Sequence, residues 1–432
     1  MQTYQIKTTP SPVIFPRLLL PGAGVDPAKW SVIACDQYTS EPEYWLRAAE
    51  LVGDAASALK LILPECWLAA PDRAERIERI WMEMRRCLSE GILRETDPGL
   101  MLVERETPFT PRRRGVVAAV DLERYDYRPG TAAMIRPTEA TIVERLPPRM
   151  EIRRGAALEL PHILLLIDDP QDRLIGPLFD ARTPDQRAYA TELMFGAGRL
   201  QGAFVGQGAP TAGFSRELTR MWEERSSAAG GESAFLFAVG DGNHSLAAAR
   251  AVWDELKLEL PADRAGSHPA RYALVELVNL YDPGVRFEPI HRLLTGIQPA
   301  SFMLFLEQHG FKITAGRPPA PGGSAQSFGL SARGLEAAAL PGREVHPTPA
   351  GTIQPLIDEF LRLERSAGID YIHGRDSLAR LAAEPGRLGL SMPAMDKNLL
   401  FSTVARHGIL PRKAFSIGEA SEKRFYFEAR RL

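Results

Sequence analysis

The chain has 432 residues, 45% of them hydrophobic and 25% charged, a length that suits two or three domains and a sizeable core. Its 52 basic and 54 acidic side chains leave a formal net charge of -2, which argues against a nucleic-acid or anionic-membrane surface. Cys35, Cys66 and Cys87 form no C-x-x-C pair, so neither a disulfide framework nor a structural zinc site is expected, and the default compartment is cytoplasmic.

The N-terminal MQTYQIKTTPSPVIF lacks the basic segment and long apolar run of a secretory signal. Weak alternation over Gln2 to Pro21 predicts a strand, and Trp30 to Ala34 a short buried one. Apolar residues at three- and four-residue spacing predict helices over Pro42 to Val52 and Ala74 to Glu90. Strands are expected at Met101 to Glu106, Val116 to Leu122, Glu151 to Arg153 and His162 to Ile167, each bounded by Pro, Gly or Asp. The run Ile163 to Ile167 is the longest strongly apolar stretch and is far short of a membrane span. A helix is predicted over Pro184 to Phe204, then a strand over Phe235 to Val239 and an Ala-rich helix over Ser245 to Leu256. Tyr272 to Asn279 reads as a strand. Ala300 to Gln308 and Pro355 to Arg365 read as helices, the second with Pro355 in its first turn. A helix near Asn398 to His407 and a strand at Phe425 to Glu428 close the chain. The fold class is α+β, or mixed α/β. The Pro/Gly/Ser-rich stretch Arg317 to Gln326 sets the expected boundary between a core over residues 1–316 and a C-terminal α+β subdomain over 327–432.

No P-loop, dinucleotide fingerprint, H-E-x-x-H or G-x-S-x-G occurs. The chemical centre is expected at the strand-turn-helix FLFAVGDGNHSLAAARAVW. Gly240 and Gly242 permit a tight turn, and the following helix start favours an anion. Asn243 and Ser245 are candidate caps. His244 is placed to donate to a phosphate oxygen, and Asp241 to orient that imidazole, take a ribose hydroxyl or hold Mg²⁺. The bland alternative is a helix cap after a buried strand, with Asp-Gly as an ordinary turn.

Asp241-Gly242-Asn243-His244 resembles the D-G-x-H-R signature of the ParB/sulfiredoxin-like superfamily, which includes free-serine kinases; Ser245 stands where that signature has arginine. The runs ACDQYTSEPEYW, IRPTEATIVERLPPRMEIR, VGDGNHSLAAA and LPRKAFSIGEASEKRFYFEA together resemble the family called domain of unknown function 1015. The resemblance implies a ParB-like nucleotide-binding core with an additional mixed-sheet subdomain, with ATP or ADP and Mg²⁺ as cofactors. It also implies phosphates bound at residues 241–245 and an acidic general base.

Asp36 and Glu41, in a turn after a predicted strand, are the candidates for that base, against a plain capping role. Arg136, Glu139, Arg145, Arg149 and Arg153 crowd one segment whose guanidinium groups could replace the missing arginine, with Arg136 and Glu139 the better candidates for the phosphate side. Arg149 and Arg153 read rather as a solvated face. His291 and Arg292 are expected just after a strand as a second phosphate contact. Asp168 and Asp169 are candidate metal ligands, against a simple Asp-Asp-Pro turn. Lys397, Arg412, Lys413 and Lys423 make the tail basic, either to close over a nucleotide or to solubilise a surface. The first functional expectation is a nucleotide-dependent phosphotransferase acting on a small hydroxyl metabolite, with free L-serine as the named acceptor. The alternatives are a non-catalytic ParB-like nucleotide-binding regulator and a metal-dependent hydrolase using His162, Asp168, Asp169 and Asp241. No nucleic-acid or membrane partner is expected, and homo-oligomerisation stays open.

Overall fold

A computed structural model describes residues 11–228, 234–316 and 326–432. The chain divides into two compact units, one of residues up to Val285 together with Ala420–Leu432, the other Arg286–Glu419. The division thus falls at Val285/Arg286, and the stretch expected as the boundary lies, but for Gln326, outside the described residues.

The first unit carries β1 (Arg17–Pro21), α1 (Pro42–Val52), α2 (Arg73–Ser89), β2 (Leu93–Glu106), β3 (Arg113–Asp121), β4 (Ile135–Pro137) and α3 (Leu146–Arg154). It continues with β5 (Leu164–Ile167), β6 (Arg187–Glu192), β7 (Arg199–Gly206), α4 (Ala209–Ala228), β8 (Phe237–Asp241), α5 (Asn243–Glu259) and β9 (Tyr272–Asn279). One mixed sheet runs in the order β4-β8-β5-β9-β3-β2-β7-β6, with β1 also paired to β2. β8 is parallel to β4 and antiparallel to β5, and β5 is parallel to β9.

Alternation along the strands explains why the sheet is buried on both faces. Leu100, Leu102, Val116 and Ala118 join one core with Phe214 and Leu218 of α4 and Leu246 and Trp253 of α5. Met101, Val103, Val117 and Ala119 join the other with Trp45 of α1 and Ile77, Ile80 and Met84 of α2. The last residues return to this unit: Tyr426 and Phe427 enter the second core, and Phe425–Tyr426 pairs with Val32–Ile33. Arg424 sits buried between Glu276 and Glu428, at 2.6 Å from the latter.

The second unit has its own antiparallel sheet. Its elements are β10 (Ile290–Thr295), α6 (Pro299–Gln308), β11 (Phe311–Ala315), β12 (Phe328–Ala332), β13 (Leu335–Pro341), α7 (Pro349–Leu363), β14 (Gly368–His373), α8 (Arg375–Ala382), β15 (Arg387–Ser391) and α9 (Leu400–His407). The strand order is β11-β13-β12-β15-β10-β14.

Several expectations are corrected here. Pro184 to Phe204 is not a helix but holds β6 and the first part of β7, an antiparallel hairpin. Glu151 to Arg153 is not a strand; it lies in α3, whose first turn carries proline. α7 begins at Pro349, so Pro355 lies inside it. Of the predicted N-terminal strand, residues 2–10 lie outside the described residues, while Arg17–Pro21 is a strand.

Candidate functional site

The site starts where β8 meets α5. Val239 pairs with Leu165 and Asp241 with Leu164, so Gly240 is an extra residue that bulges the strand end. Gly242 takes φ +79°, and a Cβ there would sit 3.0 Å from Ile163 Cα. Only glycine lets the turn close against the segment leading into β5. No side chain caps α5 at Gly242, so the positive end of its dipole is available to an anion.

Asp241 is held at both oxygens. Gly242 N–H donates to Oδ1 at 3.0 Å, and Lys423 Nζ lies 3.1 Å from Oδ2. Burial works against the charge, but the ammonium outweighs it and holds the carboxyl below its ordinary range. The cation at this turn is therefore Lys423. Arg136 packs over Phe235 at 4.8 Å, and its Nε donates to Ala133 O at 2.9 Å. Thr138 and Ile142, on either side of Glu139, both bind this region: Thr138 Oγ1 donates to Val239 O at 2.6 Å, and Ile142 N–H donates to His244 Nε2 at 3.2 Å. The Nε2 of His244 thus accepts a backbone hydrogen bond, so the expected donation to a phosphate is not made through that atom.

A hydrogen-bonded row leads from the turn into a cavity. Cys35 N–H donates to Tyr426 Oη at 3.2 Å, Tyr426 Oη meets His162 Nδ1 at 2.8 Å, and His162 Nε2 meets Ser245 Oγ at 2.9 Å. Burial pushes the Tyr426 phenol well up, and the Cys35 side chain beside it adds to the rise. His162 bridges the two hydroxyls through its two ring nitrogens, and its tautomer sets which of them donates.

Cys35 and Ser245 line the same cavity, of about 140 Å³, each next in sequence to one of the two turns. Leu61, Ile62, Leu63, Met84, Ile152 and Leu158 form much of its wall. α3 supplies a charged stripe: Arg149 pairs with Glu65, and Arg153 with Glu159 at 2.6 Å. Burial pushes the Glu65 carboxyl up, the Arg149 guanidinium partly offsets this, and the Asp36 charge adds to the rise. Burial also opposes the Glu159 charge, but Arg153 and Arg430 hold that carboxyl below its usual range. Arg149 and Arg153, expected on a solvated face, are thus built into the wall.

Of the two candidate bases, Asp36 is half-buried and accepts from Gln37 Nε2 at 3.0 Å, whereas Glu41 is exposed at the start of α1. The remaining candidates are engaged by other groups. His291 and Arg292 follow the two-residue strand Phe287–Glu288 as expected, but are themselves inside β10, and both are buried in the second unit. His291 Nδ1 accepts from Met392 N–H at 3.0 Å; Arg292 Nε donates to Gln354 Oε1 at 3.1 Å and its guanidinium to Lys413 O at 3.0 Å. Asp168 follows β5 beyond Ile167, which pairs with Phe237, whereas Asp241 pairs near Leu164 at the opposite end. Asp168 accepts from Tyr281 Oη at 2.8 Å, and buried Asp169 from Leu174 N–H at 2.8 Å. Strand length alone puts these carboxylates roughly 10 Å from Asp241, too far to share an ion.

Among the described residues no group of three or more His, Cys, Asp or Glu side chains could hold a metal ion. With both Asp241 oxygens engaged, this donor set does not fit Mg²⁺, and no step is derived through it. No helix among the described residues is long and apolar enough to cross a membrane.

None of the curated proteins matches the chain in sequence. Among solved structures, a free serine kinase mutant in complex with AMP superposes with a TM-score of 0.38 at 12% identity, covering 72% of this chain and 91% of that one. SbnI with C-terminal truncation from Staphylococcus aureus gives 0.38 at 9%, covering 70% and 83%. A conserved hypothetical protein from Pyrococcus furiosus gives 0.33 at 13%, covering 72% and 90%. Scores of this size carry no argument about ligands or residues. Residues 19–359, well over half of the chain, match the family described as "Protein of unknown function (DUF1015)", and the chain belongs to that family.

Proposed function

We propose that this protein is a nucleotide-dependent phosphotransferase acting on a small hydroxyl metabolite. The observation that supports the reading is the row Ser245–His162–Tyr426–Cys35, which runs along one cavity from the start of α5 to the residue before Asp36. Phosphate oxygens would sit over Gly242 to Ser245. There the glycine permits close approach of the backbone, and the Ser245 hydroxyl can donate. The nucleotide supplies the phosphoryl group when bound. Asp36 would take the proton of the acceptor hydroxyl, and Glu41, being exposed, is the weaker choice of base.

The test is phosphoryl transfer from ATP to hydroxyl compounds, by the wild type and by Asp36→Asn. Loss of a general base lowers kcat about 10²–10⁴-fold while nucleotide binding persists. Transfer unchanged in Asp36→Asn removes Asp36 from the role, and binding without turnover by the wild type leaves the second reading. That reading is a non-catalytic nucleotide-binding regulator, favoured by the Asp241 carboxylate being already bound to Lys423 rather than open.

A further inference from the structure

The cavity beside Ser245 is mostly greasy. Leu61, Ile62 and Leu63 come from one stretch, Met84 from α2, Ile152 from α3, and Leu158 from the strand residues beyond it. The charged groups of its wall are ion-paired: Arg149 with Glu65, and Arg153 with Glu159, which also binds Arg430 at 2.6 Å, leaving, among the described residues of the wall, only the buried Nε of Arg149 and of Arg153 without a hydrogen-bond partner. A ligand bearing both an ammonium and a carboxylate would lose water at both ends and find each wall charge already paired. The remaining polar groups, His162, Ser245 and Tyr426, gather in one hydrogen-bonded row. Such a site offers one polar end and one apolar end.

We infer that the acceptor held here is an alcohol with an apolar body of about six carbon atoms, benzyl- or branched-alkyl-like, rather than a compact zwitterion such as serine. The size follows from the cavity's volume of about 140 Å³, close to that of an apolar cavity that takes benzene. The apolar body lies against Leu61–Leu63, Met84 and Ile152, and the hydroxyl faces the Ser245 end. The inference rests on the phosphotransferase reading for the word acceptor; the binding of an apolar alcohol does not.

Calorimetric titration of the full chain with 1-alkanols from ethanol to 1-octanol, with benzyl alcohol and with L-serine, tests it without nucleotide. Affinity is expected to rise about fourfold per methylene until the cavity fills, and then to level off. Benzyl alcohol should bind and L-serine should not. Ile152→Trp and Leu68→Trp, two half-buried wall positions, should each weaken benzyl alcohol at least tenfold while circular dichroism stays that of the wild type. Serine binding with no chain-length trend overturns the inference, as does a trend that persists unchanged in both folded wall variants. A clear alkanol series in a protein that neither binds ATP nor transfers phosphate would sink the kinase reading and leave the apolar site standing. The reverse result would sink only the apolar site.

Discussion

Replacing Lys423 by methionine removes the cation from the Asp241 carboxylate and keeps most of the side-chain volume. The Lys423 side chain is 9% exposed and that of Asp241 22%, so the variant strands a largely buried charge with only the Gly242 N–H as donor. Breaking a fully buried pair costs about 3–5 kcal/mol; the residual exposure of Asp241 places this one at the lower end, about 3 kcal/mol. In a unit this large that is a fall in Tm of about 6 °C. The sign with pH is specific. In the wild type the carboxyl lies below its ordinary range, so the stabilisation is present above that range and is lost as pH falls through the folded value. In Lys423→Met burial acts unopposed and raises the carboxyl, so the deficit shrinks as pH falls and Asp241 takes up a proton. Melting followed by circular dichroism between about pH 4 and 8 measures both trends. The double variant with Asp241→Asn should recover most of the loss, because no charge is left to strand. A Lys423→Met protein that melts like the wild type at every pH would refute the reasoning.

Three further outcomes are expected. Arg424→Met leaves the buried Glu276 and Glu428 without their shared cation and should cost about 3–5 kcal/mol in urea denaturation; a loss under about 1 kcal/mol would mean the cluster relaxes freely. Tyr426→Phe removes the hydroxyl between Cys35 N–H and His162, which should cost about 1–3 kcal/mol and lower kcat for phosphoryl transfer more than it changes KM. Unaltered kcat in that variant would make the row a structural device only. Burial, with Arg375 and Arg292, lowers His291 from 6.5 to about 4. Its neutral form is the folded one, so the second unit should lose roughly 3 kcal/mol as pH falls from the first value to the second. Hydrogen exchange in β10 and β14 reads this, and His291→Leu should flatten the pH trend whatever its own stability.

The parts of the fold visible in the sequence are those written in local periodicity. In α1, Tyr44, Trp45, Ala48 and Val52 fall on one buried face, and proline opens the helix. β9 is apolar on both faces, apart from Glu276 paired with Arg424, because both faces of the sheet are covered. The glycine turn before α5 was also legible, since Gly242 has to take a left-handed conformation against Ile163. The hairpin over β6 and β7 was not, because Ala, Arg and Leu in that stretch suit a helix. The signal against a helix was Gly196-Ala197-Gly198, where both glycines and Phe195 take positive φ at the turn. α3 was hidden by a short β-like run, although Pro147-Pro148 marks a helix start. Lys423 was visible only as one of several basic tail residues, and Tyr426 only as part of a closing strand; nothing local pointed to their partners. Tyr426 reaches His162 across 264 residues of sequence, and only the return of the chain's last segment to the first unit brings them together. His291 and Arg292 looked functional from their place just after a strand; here His291 Nδ1 is bound by Met392 N–H, and Arg292 by Gln354 and Lys413.

The central claim is that nucleotide phosphates bind at the start of α5. Thermal melting with and without ATP, on the wild type and on Ser245→Glu, tests it most directly. Glutamate in the first turn suits the helix dipole, so the variant should fold, but its charge repels phosphate where serine would donate. At about 100 times its dissociation constant ATP should add roughly 2.7 kcal/mol to the wild type and far less to the variant. No shift in the wild type, or an equal shift in both, would contradict the account and return the Asp241 turn to an ordinary helix start.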